Sequence, residues 1–226
     1  MEAKTLRARA RANLAGSWGI SIGAALIAVL LGGLITGSGS FTLKIDEEMM
    51  YRLPSSMLGI LLTFTSVASV LSFAAFIIGG VIQLGYAQFL LKQHDGQELN
   101  IRDLFSQFDR FGTGFAQAFL RSLYTFLWML LLIVPGIIKA ISYSMTPFIL
   151  AEHPNLTASQ AIDLSKQMMD GHKMDLFILD LTFIGWGLLS ALTLGIGALW
   201  LNPYTNAAHA AFYRQLQVEN KYTSYE

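Results

Sequence analysis

The sequence predicts an all-α fold, a polytopic membrane bundle of about six transmembrane helices with three amphipathic interfacial helices on the cytoplasmic side. Three observations carry that expectation. The chain has 226 residues, of which 54% are hydrophobic and 13% charged, about half the charged share of an average soluble domain. Its apolar residues gather into runs near the roughly twenty residues that cross a hydrocarbon core of about 30 Å. Its basic residues recur between alternate runs, as cytoplasmic loops require.

The first span is expected at residues 18–36, an uninterrupted apolar run. Lys4, Arg7, Arg9 and Arg11 precede it in the manner of a secretory signal, which is the rival reading. The run exceeds the roughly 7 to 15 apolar residues of such a signal and has no clean small-x-small cleavage site, so a retained anchor is favoured. Residues 37–54 hold Gly37-Ser38-Gly39-Ser40, Asp46, Glu47 and Glu48 and read as a loop outside the bilayer. The apolar stretch 57–91 is too long for one crossing. The second span is therefore placed at 57–78, with a bend at Gly79-Gly80 and Gln83, Tyr86 and Gln88 marking emergence at the interface. A third span covers 115–134 until Pro135-Gly136 ends or kinks it. A short fourth covers 137–151, a fifth 176–194, and a sixth 196–213, the last interrupted by Asn202, Pro203 and Tyr204. Five spans is the competing count.

Six spans put the N-terminal cluster, Lys92, Arg102, Arg110, Lys166, Lys173, Arg214 and Lys221 on one side, with both termini cytoplasmic in the cell membrane. On that side three segments read as amphipathic helices lying on the membrane surface. Leu6, Ala10 and Leu14 share one face of the first, opposite Lys4, Arg7 and Arg11, which suit an anionic inner leaflet. Ile101, Leu104, Phe105 and Phe108 form the second, with Asn100 as N-cap; Ala161, Leu164 and Met168 form the third, opened by a Thr157/Gln160 capping box. Each ends near a glycine, Gly16, Gly112 or Gly171. One membrane domain over 1–226, built from repeat units 3–91, 100–151 and 157–215, is the expected organisation.

In the C-terminal half the residue order is specific. Pro135-Gly136-Ile137-Ile138-Lys139, Tyr143-Ser144-Met145, Ala161-Ile162 to Ser165, Met169-x-Gly171-x-Lys173, Phe183-Ile184-Gly185-Trp186, Thr193-Leu194-Gly195-Ile196-Gly197, Pro203-Tyr204 and Ala211-Phe212-Tyr213 follow one another. Together they resemble a bacterial integral membrane family of unknown function, domain of unknown function 975. Earlier in the chain Asn13-Leu14-x-Gly16-x-Trp18 is the main match. The family is distantly like the membrane domain found beside some glycerophosphodiesterase catalytic domains. The resemblance implies a multi-pass protein typical of Gram-positive bacteria and supplies no catalytic residues.

The function classes narrow by composition. Fifteen basic and fifteen acidic residues leave no net charge, so nucleic acid is not an expected partner. No cysteine is present, which excludes disulfides, thiolate metal sites and a cysteine nucleophile. His94, His153, His172 and His209 lie far apart without metal spacing, and no phosphate-binding loop or nucleophile elbow occurs. An enzyme, a metal and a cofactor are therefore not expected.

Polar residues inside the spans are the better lead, because each needs a partner or a water-filled cavity. Asp180 and Arg121, each near the cytoplasmic end of a span, are read as an intramembrane pair, the lining of a substrate entrance, or side chains snorkelling to the interface. Asn202, Tyr204, Asn206 and His209 form a second candidate cluster, beside carbonyls that Pro203 would free. Gly19-x-x-x-Gly23 and Gly187-x-x-x-Ala191-x-x-x-Gly195 offer faces for close helix approach, and Lys139 is assigned to outer headgroups. The favoured function is a non-enzymatic component that binds lipid, with the bilayer and anionic inner-leaflet lipids as partners, or that joins other membrane proteins or further copies of itself. A small permease or exporter for an amphiphile or ion is the alternative.

Overall fold

The computed structural model describes residues 2–33, 55–193 and 195–220, and they are helical with no strand among them. The expected loop at 37–54, the end of the first span and Lys221 lie outside these residues. Nine α-helices follow in order: α1 (Ala3–Leu14), α2 (Trp18–Ala28, continued by a π-helical turn Val29–Gly33), α3 (Ser55–His94), α4 (Phe111–Leu131), α5 (Ile133–Ser142), α6 (Thr146–Glu152), α7 (Ala158–Met168), α8 (Lys173–Leu192) and α9 (Ala198–Asn220).

Among the described residues three stretches are long and apolar enough to cross a membrane, Ala74–His94, Ile133–Glu152 and Lys173–Leu192, with a fourth if Ala3–Leu14 and Trp18–Leu31, bent by 104°, count as one broken span. Two coincide with the expected fourth and fifth spans. The third lies in the C-terminal half of α3, the helix that also contains the expected second span and runs unbroken through Gly79-Gly80. The physical reason is packing. A Cβ on Gly80 would lie 2.3 Å from the carbonyl oxygen of Gly114, and one on Gly114 would lie 2.9 Å from Val81 Cα, so these glycines let α3 and α4 touch backbone to backbone. By contrast, nothing among the described residues lies within 4 Å of such an atom on Gly19, Gly23 or Gly187, so the expected small-residue faces make no contact there.

One end of the bundle is polar and cross-linked. Gln93, at the end of α3, donates to Ser21 Oγ at 2.6 Å and Ser17 Oγ at 3.0 Å, at the start of α2. Asn13 lies 2.9 Å from His94, and Lys92 pairs with Asp103 at 2.7 Å. Arg214 on α9 joins Glu152 at the end of α6 to Asp95 after α3. His172, before α8, lies 3.8 Å from Glu219 near the end of α9. The chain thus leaves this end in α2, α4 and α8 and returns to it in α3, α5–α6 and α9.

The amphipathic segments gather here, with their apolar faces turned onto protein rather than lipid. Leu6, Ala10 and Leu14 are fully buried in one core with Ala208, Ala211 and Phe212 of α9. Ala161, Leu164 and Met168 of α7 join the same core. The middle segment is not an α-helix: it forms two 3-10 turns, Ile101–Phe105 and Phe108–Arg110, of which only Leu104 is buried. Its Asn100 cap is present, reciprocated by Asp103, and so is the Thr157/Gln160 capping box. Gly16 and Gly171 end α1 and α7 at φ of 86° and 80°, the left-handed region glycine favours. Gly112 instead lies in the first turn of α4. Away from this end the surface is apolar: Leu130, Leu131, Leu132, Ile133, Leu188 and Leu192 are exposed by 65–81%, a pattern suited to lipid and not to water.

Candidate intramembrane site

Three helices contribute polar stripes that meet beside the Gly80–Gly114 contact. On α4, Gln117, Arg121 and Thr125 recur every four residues and so share one face. On α3, Gln83 and Tyr86 are one turn apart; on α9, Asn202, Asn206 and His209 follow i, i+4, i+7. The close approach of α3 and α4 puts the Gln83 carbonyl oxygen within reach of two donors, Arg121 Nη2 at 2.9 Å and Gln117 Nε2 at 3.3 Å. Gln117 also reaches the Gly80 carbonyl at 3.4 Å.

Around these groups lie a cavity of about 180 Å³ and a second of about 590 Å³, and Gln83, Tyr86, Arg121, Ser122 and Asn206 border both. Arg121 has no ion-pair partner among the described residues. A guanidinium inside a bundle without a counter-charge is costly unless water or an anion reaches it. The site is therefore a cationic pocket, with Arg121 bordering both cavities.

The larger cavity is also walled by Ser144, Pro147 and Phe148, at the break between α5 and α6. The helix stops at Ser142 and resumes at Thr146, so backbone carbonyls are released. One of them, Ser142 O, accepts a bond from the fully buried Ser165 hydroxyl of α7 at 2.8 Å. Discontinuous backbone at this depth is tolerated where protein or a cavity satisfies it. The expected break at Pro203 is absent, since α9 is helical through it. Pro135, too, is incorporated in α5, three residues into the helix; the turn from α4 is the single extended residue Leu132, with Gly136 packed on Met129.

The sequence-expected residues divide. Asp180 does not meet Arg121; its Oδ1 lies 2.6 Å from His209 Nε2, joining α8 to α9. His209 and Asn206 border the larger cavity and Asn202 the smaller. Asn206 is partly engaged by its own helix, donating to Asn202 O at 2.8 Å. Tyr204 faces away from them, its ring against Phe183 at 5.1 Å and its hydroxyl donating to Arg7 O at 3.4 Å. Lys4 is exposed, whereas Arg7 and Arg11 border a third cavity with Tyr204. The Lys139 ammonium sits 4.9 Å from the Trp128 ring centre. No group of three or more potential metal ligands occurs among the described residues. Gln117 is a candidate site residue that sequence reading missed, although the four-residue repeat Gln117, Arg121, Thr125 in an apolar helix was a usable signal, and Gln83 and Tyr86, expected to mark emergence at the interface, border the cavities.

Residues 129–220 match the model of a family described as "Protein of unknown function (DUF975)". The matched stretch contains the motifs from Pro135 to Tyr213 that carried the resemblance in the sequence. No curated protein and no solved structure matches the chain.

Proposed function

We propose, from a chain whose residues 129–220 match a family of unknown function, that it is a multi-pass membrane protein that binds the anionic head of an amphiphile at Arg121 without catalysing its conversion. Six crossings, α2, α3, α4, α5–α6, α8 and α9, fit a chain that alternates between two ends. The cytoplasmic assignment of the polar end, and of both termini, is supported by Lys92, Arg102, Arg110, Lys166, Lys173 and Arg214 clustering in its loops and helix ends.

The carrying observation is Arg121 without an ion-pair partner among the described residues, beside a cavity of about 590 Å³. That volume is within the range of small-molecule pockets. An apolar tail has room along Phe126, Met129 and Phe148, which line the same cavity. Guanidinium favours phosphate or carboxylate through paired donors.

The test is thermal stabilisation of the purified protein in a neutral detergent by dodecyl phosphate against dodecyl phosphocholine. Wild type should be stabilised by the first alone, and Arg121→Gln by neither. Equal stabilisation of Arg121→Gln and wild type overturns the assignment. The α5–α6 break beside the cavity favours a second reading, a permease for the same class of ligand. It requires flux of the amphiphile into protein-containing vesicles, lost in Asn206→Ala/His209→Leu.

A further inference from the structure

The third cavity, about 630 Å³, shares no residue with the Arg121 site. It is a groove between the α1–α2 corner, α8 and α9, lined by Arg7, Arg11, Trp18, Trp186, Trp200 and Tyr204 among others. We infer that this groove seats one anionic phospholipid, its phosphate held by Arg7 and Arg11 and an acyl chain laid over the tryptophans.

Charge selects the occupant. Arg7 and Arg11 are one turn apart on α1, so their heads can converge on one phosphate. Neither has an ion-pair partner among the described residues, and no acidic residue lines the groove. Arg7 Nε is buried without a hydrogen-bond partner, a donor that the fold leaves unsatisfied. Aromatic and aliphatic side chains form most of the remaining wall, so a soluble anion would leave that wall wet, whereas a phospholipid covers both parts.

Position agrees with charge. The C-terminal turn of α1 is tied to the polar end through Asn13 and His94, 2.9 Å apart, which sets Arg11 within one turn of that end. The helix is clamped by the burial of Leu6, Ala10 and Leu14, and Tyr204 ties Arg7 O to α9. On the opposite wall, Gly197 packs onto Ser190, where a Cβ would come within 2.9 Å of Ser190 Cα, fixing the α8–α9 turn. The site is thus prearranged rather than a diffuse cationic surface; Lys4 and Arg9, exposed on the same helix, lie outside it.

The experiment measures quenching of tryptophan fluorescence in detergent-solubilised full-length protein by phosphatidylglycerol brominated on its acyl chain, with brominated phosphatidylcholine and sn-glycerol 3-phosphate as comparators. Wild type should be quenched saturably by the anionic lipid, at least about tenfold more tightly than by the zwitterionic one, and sn-glycerol 3-phosphate should not compete. Arg7→Gln/Arg11→Gln should weaken binding about thirtyfold, from about 1 kcal/mol per charge. Lys4→Gln/Arg9→Gln, which removes the same net charge, should bind as wild type. Arg7→Lys/Arg11→Lys should retain most of the binding, which guards against misfolding of the glutamine variant. Equal loss in both glutamine pairs, equal affinity for the two lipids, or competition by sn-glycerol 3-phosphate overturns the inference. Loss in Arg121→Gln would relocate the lipid to the other site.

Discussion

Substituting Gly80 by alanine tests the contact on which the Arg121 site depends. The added Cβ would lie 2.3 Å from Gly114 O and 2.8 Å from Gly114 C, and a real Cβ stays beyond 3.0 Å, so α3 and α4 must part by about 0.7 Å. The obstacle is backbone, which no rotamer change relieves. Carried to the next turn, that separation would lengthen the 2.9 Å Arg121–Gln83 bond to about 3.6 Å, beyond hydrogen-bond range. Overpacking of this kind costs about 1–3 kcal/mol, and a bond to a charged group contributes about 1.5–3 kcal/mol. A loss of about 3 kcal/mol is expected, equivalent to roughly 6–12 °C in Tm for a chain of this size. The assay is the fraction of protein remaining monodisperse by size-exclusion chromatography after graded heating in a mild detergent. Gly19→Ala is the internal control, because nothing lies within 4 Å of its added Cβ and alanine favours a helix by up to about 1 kcal/mol. Indistinguishable curves for Gly80→Ala and Gly19→Ala would refute the claim that α3 and α4 touch at these glycines.

Two further outcomes follow from named bonds. Ser165→Ala removes the hydroxyl that caps Ser142 O at the α5–α6 break and should cost about 1–3 kcal/mol in the same heating assay. Ser144→Ala, whose hydroxyl makes only the local bond to Ile141 O, three residues back at the end of α5, should cost markedly less; the reverse order would show the cap to be dispensable. For the 2.6 Å Asp180–His209 pair, Asp180→Asn and His209→Gln should each destabilise, and the double variant should fall short of their sum by more than about 0.5 kcal/mol. Strict additivity would dissolve the pair.

Local chemistry was legible in the sequence and spatial partnership was not. Asn100, Thr157 and Gln160 cap where their residue types say they should, and Gly16 and Gly171 close helices with positive φ. Each of those outcomes is decided within four residues. The glycines were misread because spacing of the Gly-x-x-x-Gly type states only that a helix can be approached. Which glycine is used depends on the partner: Gly80 meets Gly114, whereas Gly19 and Gly23 meet nothing. A pair between Asp180 and Arg121 is one of three readings their comparable depth allows, and the antiparallel register of α8 and α9 instead delivers Asp180 to His209. The apolar faces of α1 and α7 show the same gap. Their periodicity predicts burial correctly, but a lipid surface and a helix such as α9 satisfy the same pattern. Proline drew attention to residues 135 and 203, yet the break beside the larger cavity falls at 143–145, where Pro147 opens the next helix and a serine from another helix supplies a partner for Ser142 O.

The two cavities are connected by how α9 is inscribed. At about 100° per residue, Asn202, Asn206 and His209 fall on one face, toward α3 and α4. Leu201 and Tyr204 lie about 130° round the same helix, on the groove that holds Arg7 and Arg11. Both cationic sites therefore share one wall, within the stretch that matches the family model. That wall is anchored on α8 by the Asp180–His209 pair and on the polar end by Arg214 between Glu152 and Asp95. The helix continues through Pro203, whose missing backbone N–H leaves one intrahelical bond unmade between the two faces.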